Sequence, residues 1–160
     1  MKTVLTVAVA ALFSTAALAD HTVENAQAIS RAAYRVADSA EAIEQDARYQ
    51  LGGVLDPVTD DHRNESLREI FYGGRATHLA ASDLYRAARN GFEPTDGDTD
   101  DHRGDDIRES YQRLRFQYDS LARSYSQCGF EVGPRLRYEF EGLVRTFNDL
   151  EWYVWGHRPQ

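Results

Sequence analysis

Four of the five histidines in this 160-residue chain stand beside carboxylates or in a terminal tail, and three of these are the candidates for a shared site: His21 follows Asp20, His102 follows Asp100 and Asp101, and His157 lies close to the C-terminus. Imidazole nitrogens with nearby carboxylate oxygens form a donor set for zinc, copper or nickel. If cleavage exposes Asp20 as a new N-terminus, its free amine beside His21 adds a local copper chelate. His21, His102, His157, Asp20 and Asp100 are therefore the candidate metal ligands, with Asp98 and Asp101 alongside. A competing account needs no metal: terminal histidines are ordinarily solvated, and aspartates before a helix cap it and interact favourably with its dipole.

Calcium fits less well. Asp96, Asp98 and Asp100 alternate like the first half of an EF-hand loop, but Asp101 occupies the glycine position and Ile107 the position of the bidentate glutamate. A looser site built from Glu93, Asp96, Asp98 and Asp100 competes with a plain solvated acidic loop. The five residues Thr59-Asp60-Asp61-His62-Arg63 recur as Thr99-Asp100-Asp101-His102-Arg103, and in both places helix-start chemistry accounts for the threonine and aspartates. His78 has no ligand-type residue at a helical companion spacing. Its expected role is a core histidine bonded to a tyrosine of the third helix.

Much familiar chemistry is missing. There is no Cys-x-x-Cys-His for haem attachment, no Glu-x-x-His pair for a di-iron bundle and no His-Glu-x-x-His for a zinc protease. A glycine-rich phosphate loop and a nucleophile elbow are also lacking. The sole methionine is Met1, which argues against a methionine-ligated haem. No catalytic constellation emerges, and the expectation is a protein without enzymatic activity or an obligatory cofactor.

What remains is aromatic surface. Tyr72, Tyr138, Trp152, Tyr153 and Trp155 are more aromatic side chains than the helical seams can absorb, and exposed aromatics mark contact sites. Tyr138, Trp152, Tyr153 and Trp155 are thus the candidate interaction residues, for a foreign protein or for a homodimer.

The elements that must carry these residues follow from hydrophobic period. Ile29, Ala33, Val36, Ala40, Ile43, Ala47 and Leu51 recur at steps of four and three. Leu67, Phe71, Gly74, His78, Ala81, Tyr85 and Ala88 repeat that rhythm, as do Ile107, Tyr111, Leu114, Tyr118, Leu121, Tyr125 and Cys128, and then Leu136, Phe140, Leu143, Phe147, Leu150 and Val154. Four such seams predict four helices packed nearly parallel or antiparallel. Breaks fall at Gly52-Gly53 with Pro57, at Gly91 with Pro94, and at Gly129, Gly133 and Pro134. Short connections make consecutive helices antiparallel, so the predicted fold is all-α, a single up-down-up-down four-helix bundle. Helices one and two offer small residues and helices three and four offer aromatics, which predicts large rows seated against slim ones. Gly73-Gly74 within the second helix is read as a point of close packing.

Residues 1–19 have the pattern of a secretory signal peptide, with Lys2, the apolar run Val4 to Phe13 and the small-x-small site Ala17-Leu18-Ala19. The run is too short for the roughly 20 residues of a membrane span. The mature bundle is then residues 20–160, expected in the periplasm or, alternatively, secreted, with no membrane insertion after cleavage. Cleavage removes the only lysine and leaves 17 arginines against 26 acids, a formal charge of −9 that disfavours nucleic acid and anionic membranes as partners. Cys128 is the only cysteine, so stability rests on packing rather than an intrachain disulfide. Together these features predict an exported non-enzymatic bundle that binds a protein partner; the alternative is a periplasmic transition-metal protein using the histidines at one pole.

Overall fold

The computed structural model describes residues 23–52, 62–90, 103–128 and 132–155. They form four helices, α1 (Val23–Gln50), α2 (His62–Asn90), α3 (Arg103–Cys128) and α4 (Pro134–Val154), with no strand among the described residues. No helix among them is long and apolar enough to cross a membrane. Two boundaries have clear local causes. Gly52 adopts φ 66°, the left-handed conformation that ends helices and that a side chain resists, and its N–H donates to Tyr49 O at 2.9 Å. Pro134 opens α4 after an extended Gly133, a place where the missing proline N–H costs nothing because the first turn has no intrahelical acceptor for it.

All neighbouring helices run antiparallel. Tyr34 of α1 meets Tyr85 of α2, and His78 of α2 bonds Ala37 of α1. Arg35 and Asp46 of α1 pair with Asp149 and Arg135 of α4. Tyr118 and Tyr125 of α3 stack on Phe147 and Phe140 of α4. The fold is the up-down-up-down bundle that the period predicts.

The core contains every residue of the α1 seam, where the alanines let α1 sink against two neighbours at once. On α2 the buried row also takes in Ile70, Thr77 and Leu84, while His78 and Tyr85 are only half-buried. The α2 seam is therefore centred one position away from the row read from sequence. The shift has a steric reason, because Gly73 and Gly74 are the residues that touch neighbouring helices. A Cβ on Gly74 would lie 3.1 Å from Glu44 N and 3.3 Å from Ala40 O, and one on Gly73 would lie 3.1 Å from Leu121 Cδ1. The glycine pair brings α2 against the backbone of α1 and against Leu121 of α3.

The helices with large rows do sit against the helices with slim rows, α3 on α2 and α4 on α1, as sequence reasoning expected, but the aromatics of α3 and α4 also meet each other. Close backbone approach is concentrated at α1–α2, α2–α3 and α1–α4. Between α3 and α4 the bulky side chains meet each other face to face, Tyr118 on Phe147 at 3.8 Å and Tyr125 on Phe140 at 3.9 Å between ring centroids. Rings in contact hold their parent helices apart, so the bundle is tight around its alanines and glycines and wide at its aromatic seam.

Candidate interaction surfaces

The wide α3–α4 seam is closed at one end by polar groups. Tyr111 donates its hydroxyl hydrogen to Glu151 Oε1 at 2.9 Å, and Arg115 Nη1 reaches the same oxygen at 2.8 Å. Trp155 sets its ring edge against Tyr111, with centroids 6.5 Å apart. Burial, reinforced by the Glu151 carboxylate, pushes the Tyr111 phenol well above the usual tyrosine range, which keeps it protonated as the donor. Burial raises the Tyr118 and Tyr125 phenols as well. The charges of Arg115 and Glu151 are paired with each other and join two helices whose backbones stand apart.

The candidate interaction residues separate on the structure. Tyr138, Trp152 and Trp155 are exposed, at 65%, 54% and 43%. Tyr153 instead packs against the core from its half-buried position. Tyr138 and Trp152 belong to one stripe of α4 with Arg135, Arg145 and Asp149, spaced by threes and fours. Arg135 and Asp149 are the α4 partners of α1, so this stripe borders the α1–α4 face. Trp155, in contact with Tyr111, lies toward α3.

A second surface was not legible in the seams. Between α2 and α3 runs a groove of about 390 Å³, lined by Ala76, Ala80, Asp83, Glu109, Arg113 and Phe116 among others. Phe116 and Leu79 are both more than half exposed. The available sequence signal was their position, since each is a large apolar residue one or two places off a heptad seam. The groove exists because alanine occupies α2 where a longer side chain would fill the space between the helices.

His78 Nδ1 lies 3.1 Å from the backbone carbonyl oxygen of Ala37, so its partner is on α1 and not a tyrosine of α3. The carbonyl can only accept, so Nδ1 carries the hydrogen. The candidate metal ligands His21, His102, His157, Asp20 and Asp100 lie outside the described residues, as do residues 1–19, Asp98, Asp101 and the Glu93–Asp100 stretch. Among the described residues no three His, Cys, Asp or Glu side chains converge. The antiparallel order does put Val23, Asn90, Arg103 and Val154 at one pole, which is the topological premise of the three-histidine site.

Charge is distributed by element. The four helices together carry 16 arginines and 16 carboxylates, so the net charge of −8 resides entirely in the segments before, between and after them. Within the bundle α2 and α3 carry ten arginines against seven carboxylates, and α1 and α4 carry six against nine. Comparison of the chain with known protein families, with curated proteins and with solved structures finds no match.

Proposed function

We propose that this chain is exported through its first 19 residues and acts in the periplasm as a non-enzymatic helical bundle that binds another protein. The observation that carries this reading is the set of large apolar side chains turned outward from a core already filled: Phe116 at the α2–α3 groove, Leu79 on α2, and Tyr138 and Trp152 on the α4 stripe. Contact residues of this type contribute most when an interface excludes water from them. The satisfied Tyr111–Arg115–Glu151 cluster supports a structural rather than catalytic use of the buried polar groups.

The test is photo-crosslinking in the native host from single positions 116, 138 and 152, with position 38 on the exposed face of α1 as control. A discrete crosslinked protein from the aromatic positions, in the periplasmic fraction of export-competent cells, is the expected result. Absence of any adduct from all three, or retention of the full-length chain in the cytoplasm, would overturn the proposal. Recovery from the medium would move its site of action outside the cell.

A second reading, transition-metal binding, is favoured by one observation: the starts of α1 and α3 and the ends of α2 and α4, which flank His21, His102 and His157 in the chain, share a pole. Calorimetric titration of zinc and copper into the mature protein tests it. Micromolar binding lost in each of His21→Ala, His102→Ala and His157→Ala supports a shared site, and binding indifferent to His102 and His157 dismisses it.

A further inference from the structure

Gly73, Gly74 and Gly142 stand deep inside helices, and for two of them a neighbour is the reason. At Gly73 and Gly74 another helix occupies the place of a side chain, with an added Cβ 3.1 Å from Leu121 Cδ1 or from Glu44 N. Gly142, near the middle of α4, has nothing among the described residues within 4 Å of that position. Glycine weakens a helix relative to alanine, and it suits positions where a second backbone comes close. At Gly142 that second backbone is missing.

Gly142 also completes the outward stripe of α4. Arg135, Tyr138, Gly142, Arg145, Asp149 and Trp152 follow one another by steps of three and four, and all but the glycine are exposed. The glycine is therefore a notch in a surface from which Tyr138 and Trp152 project. Charge is placed symmetrically about the notch: Arg135 lies seven residues before Gly142, and Asp149 seven residues after it. Seven residues are close to two helical turns, so both sit on the face that carries the notch.

We propose that this stripe is a two-fold contact between two copies of the chain, with α4 crossing α4 antiparallel at Gly142. The inference rests on the interaction reading above and names the partner as a second copy. In an antiparallel pair about a two-fold axis, a residue a given number of places before the crossing faces the one the same number of places after it. Centred on Gly142, that register sets Arg135 of each copy opposite Asp149 of the other. Tyr138 comes beside Arg145 of the second copy, whose guanidinium can lie over the ring. Glycine against glycine lets the two axes approach to about 8 Å. A parallel pair would set Arg135 on Arg135 and Asp149 on Asp149, and like charges exclude it. A foreign helix needs no symmetry of charge about the notch; a second copy does. Arg135 and Asp149 already reach Asp46 and Arg35 of α1, yet 75% and 57% of their side-chain surface remains open to a further partner. Contact along a single helix is smaller than the roughly 1,200–2,000 Å² of a standard interface, so the dimer is reversible and dissociates on dilution.

The experiment uses the mature protein and variants of the stripe. In sedimentation equilibrium the wild-type mass is expected to rise with concentration from one chain to two and to stop there, because a two-fold contact uses the stripe of both copies. Salt raised from about 0.05 to about 0.5 M should weaken the association by screening its ion pairs. Gly142→Gln puts a side chain into the notch at a place where an added Cβ meets nothing, so it is expected to stay folded by circular dichroism and to remain one chain. Asp149→Arg, which sets arginine opposite Arg135, is expected to weaken the dimer by more than about tenfold. Single cysteines read the register on mild oxidation, since Cys128 is buried. Gly142→Cys is expected to form an interchain disulfide, whereas Asp149→Cys is not, because its two copies lie about 21 Å apart in the antiparallel register, beyond disulfide reach.

Four results would overturn the inference: a wild type of one-chain mass throughout, growth past two copies, a Gly142→Gln variant that dimerises like the wild type, or disulfide formation at position 149 as fast as at position 142. A monomeric wild type that crosslinks to a foreign protein from position 138 or 152 would remove the two-fold contact and leave the proposed function standing. A dimer without any foreign adduct would do the reverse.

Discussion

Replacement of Gly74 by alanine sets two known effects against each other, and the helix spacing decides the sign. Alanine in place of a helical glycine favours the helix by about 1 kcal/mol. At Gly74 the new methyl would stand 3.1 Å from Glu44 N, 3.3 Å from Ala40 O and 3.3 Å from Ile43 Cγ2. Two of those atoms are backbone in the middle of α1, which is itself held against α4, so relief requires a helix to move. Overpacking of this kind costs about 1–3 kcal/mol, which leaves Gly74→Ala destabilising by about 1 kcal/mol, or about 4 °C in Tm. Gly142→Ala is the matched control, because nothing lies within 4 Å of its added Cβ. There the propensity term acts alone, and a gain of about 0.5–1 kcal/mol is expected. Gly73→Ala falls between, since the Leu121 tip at 3.1 Å can rotate away but its Cα at 3.4 Å cannot. Urea unfolding of the three variants followed by circular dichroism at constant m-value measures the order directly. If Gly74→Ala were as stabilising as Gly142→Ala, the close α1–α2 approach would be wrong, and with it the account of why α2 contains two glycines.

Leu114→Ala, Leu121→Ala and Leu143→Ala, each removing a fully buried side chain, are expected to cost about 2–5 kcal/mol in the same unfolding assay, whereas Phe116→Ser should fall within about 0.5 kcal/mol of wild type; equal costs would mean the core row on α3 is misassigned. Iodide should quench both Trp152 and Trp155 in dilute protein, and protection of both would refute their exposure. Raised phenol pKa values at Tyr111, Tyr118 and Tyr125 mean that the folded state holds these protons more tightly than the unfolded chain. Their contribution to stability is complete below the unfolded value of about 10 and is lost as pH rises above it, so base unfolding should accompany late tyrosinate absorbance, and Tyr111→Phe should shift that transition; normal titration of all nine tyrosines would contradict the burial.

The candidate sites were legible to different degrees for physical reasons. Tyr138, Trp152 and Trp155 stood out because they are large and lie off the α4 seam, and a helix has only one face for the core. Tyr153 shared those properties yet packs on the core, since a position at the edge of a seam turns inward or outward according to which neighbour is near. Phe116 needed the groove to acquire meaning, and the groove depends on Ala76, Ala80 and Phe116 from two helices meeting at one level. The partner of His78 was misread for a similar reason: helical period places it near α1 or α3, and only the bundle geometry makes the carbonyl of Ala37 the nearer acceptor.

The chain's own order of residues determined the four helices, their stops and their antiparallel succession. Those properties arise from local terms: apolar period, the left-handed tolerance of Gly52, the fixed φ of Pro134 and connections too short for crossovers. Which faces meet is not a local property. It follows from simultaneous packing of four seams, in which Gly73 and Gly74 draw α2 against α1 and α3, and the remaining aromatic bulk of α3 and α4 must stack between them. Tertiary structure alone therefore decided that α3 and α4 stand apart. It likewise placed Ala76, Ala80 and Phe116 around one groove, because sequence positions on different helices acquire a common face only when the helices assemble.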